Sequence, residues 1–177
     1  MKPSKLFRRV LPGIAAAAVL VIAYRSRPAL RLAQISPASG RKPAAEFSLR
    51  DSQGVPLRLS ELKGKVVLLD FWETSCVPCR VEIPWLIEFQ RAYGSRNFEV
   101  VGVSIDEEGW AHVKPFMKKT GINYRMALAN DDIERAYPLE ATPTTVLIDK
   151  SGRIAATHVG LIDKKRFEAE IKSTMAE

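Results

Sequence analysis

Two cysteines stand at positions 76 and 79, separated by Val77 and Pro78, and the chain has no others. An almost unbroken apolar run, residues 65–72 (KVVLLDFW), precedes them. Residues 77–93 have helical character, so the pair falls at a strand-to-helix junction. A thiol at a helix N-terminus faces unpaired N–H groups and the positive end of the helix dipole, which stabilise its thiolate. Only the thiolate attacks a disulfide, which makes Cys76 the expected nucleophile. Cys79, one turn inside the helix, is placed to resolve the mixed disulfide left by that attack. Pro78 fits the first turn, where its missing N–H costs no hydrogen bond. A purely structural bridge is a poor alternative, because closing so short a loop restrains the unfolded chain little. A metal site needs two more ligands, and neither His112 nor His158 has ligand spacing. The pair in this setting reads as redox-active.

The elements that must hold this pair alternate along the chain. Residues 46–50 and 56–59 read as a hairpin around the turn Asp51-Ser52-Gln53-Gly54. Residues 65–72 suit a central strand buried on both faces. The helix over 77–93 is closed by Gly94 and followed by a strand over 98–105 and a helix over 110–120. A strand at 124–129 and a short helix at 131–137, capped by Asn130, come next. Strands at 144–149 and 153–160 form a hairpin across Lys150-Ser151-Gly152, and a helix over 164–175 ends the chain. Strands alternating with helices predict an α/β layered domain with a terminal β-hairpin. Trp110, Phe116 and Met117 are expected in the core, and His112 and His158 at the surface.

Composition sets limits on the rest. The chain has 177 residues, 46% hydrophobic and 27% charged, as in globular proteins. Its formal charge is +7, but residues 1–43 hold nine bases and no acid. The remaining 134 residues carry eighteen bases against all twenty acids, so the folded part is slightly acidic and nucleic-acid binding is excluded. Bases at 2, 5, 8 and 9 precede an apolar run from Val10 to Tyr24, the layout of a signal anchor or a signal peptide. Fifteen helical residues reach about 22 Å, against roughly 30 Å of hydrocarbon. Counting from Leu6, with Arg8 and Arg9 snorkelling, nearly closes the gap. A cut after Ala23 is the alternative. Either reading puts the domain outside the cytoplasm. The expected organisation is residues 1–24 as anchor or signal, 25–43 as linker, and 44–177 as the domain.

Several motifs together resemble the thioredoxin-fold proteins. They are Leu69-Asp70-Phe71-Trp72 leading into the cysteines, Pro84 five residues beyond Cys79, and Thr142-Pro143-Thr144-Thr145 before a strand. The lead-in FSLRDSQGVPLRLSELKGKVVLLDFW, Glu82-Ile83-Pro84, and an extra strand–helix unit at about 98–120 narrow the likeness to the membrane-anchored TlpA/ResA branch. The resemblance covers roughly residues 45–172. It implies a thioredoxin-like fold: a central mixed sheet flanked by helices, with an N-terminal β-hairpin and a βα insertion.

By that resemblance Pro143 is a cis-proline facing the disulfide, and Thr142 offers backbone hydrogen bonds to an extended substrate segment. Asp70 stands where thioredoxins place a buried aspartate, and Glu82 where the TlpA/ResA branch places a functional glutamate. Resolution requires Cys79 to lose a proton, and a carboxyl of raised pKa can take it. The alternatives are a structural hydrogen bond for Asp70 and a solvated helix position for Glu82. With only apolar strand neighbours, Asp70 is the expected principal acceptor. Two positions depart from the pattern: Ser75 replaces the usual Trp, and Glu73 occupies a normally small site. Both bear on reduction potential and partner choice.

The expected activity is thiol–disulfide exchange outside the cytoplasm. The resemblance implies a reductant serving cytochrome c maturation or copper-site assembly. The partners it implies are disulfide-bearing or apo-cytochrome and copper-site proteins, a membrane donor of reducing equivalents, and the membrane itself through the N-terminal helix. No cofactor and no metal are expected. Two other classes remain at this stage: a peroxiredoxin-type peroxidase, separated by peroxide turnover, and a copper or haem chaperone, separated by Cu(I) titration.

Overall fold

A computed structural model of the chain describes residues 35–177. The expected anchor or signal at 1–24, and the linker as far as residue 34, lie outside them.

Strands β1 (Ser48–Arg50) and β2 (Pro56–Arg58) pair antiparallel as a two-stranded sheet. A five-stranded sheet follows, built from β3 (Val66–Trp72), β4 (Phe98–Ser104), β5 (Arg125–Leu128), β6 (Thr144–Ile148) and β7 (Ile154–Val159). Its order is β5-β4-β3-β6-β7. The pairs β3–β4 and β4–β5 are parallel, whereas β6 runs antiparallel to both β3 and β7. Helix α1 (Val77–Tyr93) connects β3 to β4 and α2 (Trp110–Thr120) connects β4 to β5, as parallel neighbours require. Helix α3 (Asp131–Ala136) precedes β6, and α4 (Lys164–Met175) closes the chain.

Every residue of β3 and β4 is buried, because both faces of the sheet are covered. Alternation sends Val66, Leu68 and Trp72 into a layer with Cys79, Ile83, Leu86 and Phe167. Val67, Leu69 and Phe71 face the opposite layer, with Leu49, Leu57, Ile133 and Tyr137. The first layer holds the chemistry. Helix α2 ends at Gly121 (φ +72°), a left-handed position that a side chain would strain. Asn130 caps α3, its side chain accepting from Ile133 N–H at 3.0 Å. Trp110, Phe116 and Met117 are half-buried and pack on the first layer from its edge.

Two expectations are corrected. Residues 35–43, read as the end of a linker, are part of the domain. Ser36 N–H donates to Ala155 O and Ile154 N–H to Lys42 O, each at 2.9 Å, while Ile35 packs on the core. Arg41 is buried, its guanidinium bonded to Asp149 at 3.0 Å and to both carboxylate oxygens of Glu177. The pairing partners lie over a hundred residues away, out of reach of a local reading. His158, expected at the surface, is buried under α4, with Nε2 2.6 Å from Glu170. Its partner stands twelve residues later, on an element that pattern alone does not place over β7.

Candidate active site

The disulfide Cys76–Cys79 lies where β3 hands over to α1, with the Cα atoms 5.3 Å apart. Cys76 is the N-cap of α1, and its Sγ accepts from Cys79 N–H at 3.1 Å. When the bond is reduced, that sulfur faces the same N–H group and the helix dipole, which hold its negative charge. Cys79 is 1% exposed and Cys76 7%, beside a Val77 that is 69% exposed. A partner therefore meets Cys76 first.

The loop before the pair is held from three sides. Thr74 N–H and Oγ1 both donate to the Asp106 carboxylate, which also accepts from Ser104 Oγ at 2.7 Å. Arg80, on α1, donates twice to Thr74 O. Cys76 N–H donates to Glu73 O, and the Glu73 carboxylate accepts from Thr142 Oγ1 at 3.3 Å. Thr142 thus sits against the strand-to-helix loop. Its peptide bond to Pro143 is cis, Pro143 is buried, and Pro143 O accepts from Gly160 N–H. The first β6 residue paired to β3 is Thr144, leaving Thr142 beyond the end of the ladder.

Two buried carboxyls lie on β3 and α1, the elements that flank the disulfide in the chain. Asp70 on β3 is 1% exposed, flanked in register by Gly102 on β4 and Thr145 on β6. Glu82, one turn beyond Cys79 on α1, is also 1% exposed. Among the described residues, neither Asp70 Oδ1 nor either oxygen of Glu82 has a hydrogen-bond partner. Burial pushes Glu82 up to about 7. Burial, and then the charge of Glu82, hold Asp70 well above the usual carboxylate range. Glu82 is thereby brought within reach of neutral pH, and Asp70 is shifted in the same direction.

Asp106 is a site residue that sequence reasoning passed over. Its signal was its position just after a parallel strand's C-terminal end, where open α/β sheets build their sites. Asp106, Glu108 and His112 bring ligand-type atoms within 4.8 Å of one another. The Asp106 oxygens already serve Thr74 and Ser104, so this cluster reads as support for the loop. Ser75, in the place of the usual Trp, is exposed.

The sequence profile of the family described as Redoxin matches residues 38–173, most of the chain. This chain belongs to the redoxin family. Among its relatives, the thiol-disulfide oxidoreductase ResA of Bacillus subtilis (strain 168) is 34% identical over 160 residues, 90% of this chain and 87% of that protein. ResA of Geobacillus kaustophilus is 33% identical over 131 residues, 73% of this chain and 75% of the relative. In structure, a thiol:disulfide interchange protein of the thioredoxin family from Chlorobium tepidum superposes with a TM-score of 0.71 at 33% identity, covering 76% of this chain and 97% of that one. This redoxin is a thiol–disulfide oxidoreductase, with Cys76 and Cys79 as its cysteine pair.

Proposed function

We propose that this redoxin reduces disulfides of partner proteins outside the cytoplasm, with Cys76 attacking, Cys79 resolving and Glu82 taking the resolving proton. The observation that carries this reading is the pair of buried carboxyls behind an N-capping cysteine. Reduced Cys76 attacks one sulfur of the partner's disulfide, and the other sulfur leaves as a thiolate. Cys79 S–H then gives its proton to ionised Glu82. The Cys79 thiolate attacks Cys76 Sγ, the partner's second sulfur leaves with the bonding electrons, and the Cys76–Cys79 disulfide results. Asp70 holds its proton beside Glu82, and Thr142 aligns the partner's backbone through unpaired main-chain groups.

The same reading makes cytochrome c maturation or copper-site assembly the setting, with residues 1–24 tethering or exporting the domain. Apo-forms of such proteins carry cysteine pairs that must be reduced before haem or copper is bound. A reductant in an oxidising compartment needs its own source of electrons, here a membrane thiol donor. Supporting it are the likeness to ResA and the basic-then-apolar N-terminus. The test is a full-length Cys79→Ala variant expressed in cells. The expected catch is a mixed disulfide from Cys76 to a cysteine of a haem- or copper-binding motif. A catch made only of proteins without such motifs would contradict the assignment.

A further inference from the structure

Helices α1 and α2 leave a groove of about 540 Å³ between them, lined by Ile83, Pro84 and Ile87 of α1 and Phe116 of α2, with Arg80 and Lys119 at its edges. Ile83 is buried, Ile87 and Phe116 are half-buried, and Pro84 and both cations are exposed. On α1 the lining residues recur at three- and four-residue steps, so they form one stripe along the helix. Phe116 packs on Trp72 with ring centroids 5.1 Å apart, and the Arg80 guanidinium lies 6.0 Å from the centre of the Phe116 ring. Near Ile87, Asn123 Nδ2 donates to Ile87 O at 3.3 Å and ties the loop after α2 to α1. The groove is thus a preformed apolar surface, and the exchange chemistry makes no use of it.

It begins beside the reactive pair. Arg80 follows Cys79 in α1, and its guanidinium donates twice to Thr74 O, in the loop that leads into Cys76. Val77 and Pro84, both without full cover, stand two turns apart on one face of α1, so an apolar strip leads from the nucleophile to the groove. Along the helix, Cys76 to Arg80 is about 6 Å and Arg80 to Ile87 about 10 Å. An extended chain advances about 3.3 Å per residue, so about two residues reach the groove and about three fill it. Charge selects the occupant. No carboxylate lines the groove, and among the described residues neither Arg80 nor Lys119 forms an ion pair. An acidic segment would give both a counterion. The chain's own residues 1–34 carry bases and no acid, so charge opposes them as the occupant.

We propose that the α1–α2 groove docks the partner protein through an extended, acidic and partly apolar segment, about two to five residues from the cysteine that Cys76 attacks. Its carboxylates meet Arg80 and Lys119, and an apolar side chain covers Ile87 and Phe116. The proposal rests on the exchange reading above, because the segment is delivered by the partner whose disulfide is reduced. The contact adds selectivity and speeds encounter, and the exchange of bonds at Cys76 and Cys79 is the same with or without it. It gives a use to a basic, apolar surface beside the nucleophile of a domain that is slightly acidic as a whole. Arg80 both holds Thr74 O and lines the groove, whereas Lys119 only lines it, which makes Lys119 the residue to change.

The experiment uses the reduced full chain and disulfide-linked synthetic peptides, at about 0.05 and 0.5 M salt. In each peptide the cysteine is flanked on both sides by two glycines and then by Glu-Leu-Glu, Glu-Ser-Glu or Lys-Leu-Lys. Each rate of thiol release is divided by that of the same peptide with dithiothreitol, which removes the peptide's own reactivity. At low salt Glu-Leu-Glu should react about tenfold faster than Lys-Leu-Lys and a few-fold faster than Glu-Ser-Glu, and the first difference should shrink at high salt. Lys119→Glu should abolish the preference for Glu over Lys. Lys118→Glu, the same charge change on a neighbour that does not line the groove, should keep most of it. Equal rates for the three peptides, or equal loss in the two variants, overturn the docking site. Light scattering on the same samples tests another occupant: a native dimer that Lys119→Glu dissociates would assign the groove to a second copy of the chain and overturn the proposal. Equal, measurable rates sink the groove alone, whereas no thiol release from any peptide by the native chain sinks the exchange reading with it.

Discussion

The Thr142 hydroxyl donates to the Glu73 carboxylate at 3.3 Å, tying the cis-proline loop to the loop that leads into the cysteines. A negative charge three residues before the nucleophile opposes its thiolate, while the helix N-terminus favours it. Glu73→Gln keeps an acceptor for Thr142 but removes the charge. The expected result is a lower pH midpoint for attack by Cys76, by roughly half a pH unit for charges near a protein surface. The reduced form is then stabilised and the protein becomes a weaker reductant. Equilibration with glutathione measures the potential, and alkylation rate against pH measures the midpoint.

The carboxyl pair should divide its labour. Near pH 7 Glu82→Gln should slow resolution by about a hundredfold, the low end of a lost general base. Asp70→Asn should have the smaller effect, since burial and the charge of Glu82 favour the protonated form of Asp70. Single-turnover rates of the second thiol release distinguish the two variants. Initial attack by Cys76 should stay close to native in both.

Both acids also couple stability to pH. Their folded-state values are raised, so the stabilisation is full below the unfolded carboxyl range and is lost as pH rises through the folded value. For Glu82 the window runs from its ordinary 4.5 to about 7, worth on the order of 3 kcal/mol. Denaturant melts of the oxidised protein should therefore show falling stability from about pH 5 to 8. The slope should flatten in Glu82→Gln.

Much of the fold was legible because its elements carry strong local signals. The seven-residue run of β3 is apolar but for Asp70 and buried on both faces, and the α1 to α4 boundaries follow helical spacing with caps such as Gly94 after α1 and Asn130 before α3. Cys76 and Cys79 were legible for the same reason: their chemistry is set by a junction visible in the chain. What stayed hidden depends on distant partners. The burial of His158 needs Glu170, Arg41 needs Asp149 and Glu177, and the loop-holding role of Asp106 needs Thr74. The balance between Asp70 and Glu82 needs the depth of each below the surface, which strand composition alone does not give.

The N-terminal boundary supplies a direct check on that lesson. A fragment of residues 35–177 should fold alone and melt as one unit. A fragment starting at 44 loses Arg41 and the edge contacts of 35–43, leaving Asp149 without its guanidinium. It should be less stable by about 1–3 kcal/mol, the cost of stranding a buried hydrogen-bonded group. Urea unfolding of the two fragments compares them.

The central claim is that Cys76 attacks and Cys79 resolves. It is tested most directly by mass spectrometry of the reduced protein mixed with a disulfide-linked peptide. Cys79→Ala should accumulate a peptide adduct on Cys76, Cys76→Ser should release no peptide thiol, and the native chain should release both peptide thiols and return to the Cys76–Cys79 disulfide. Full peptide reduction by Cys76→Ser, or an adduct carried on Cys79 in the native chain, would contradict the account.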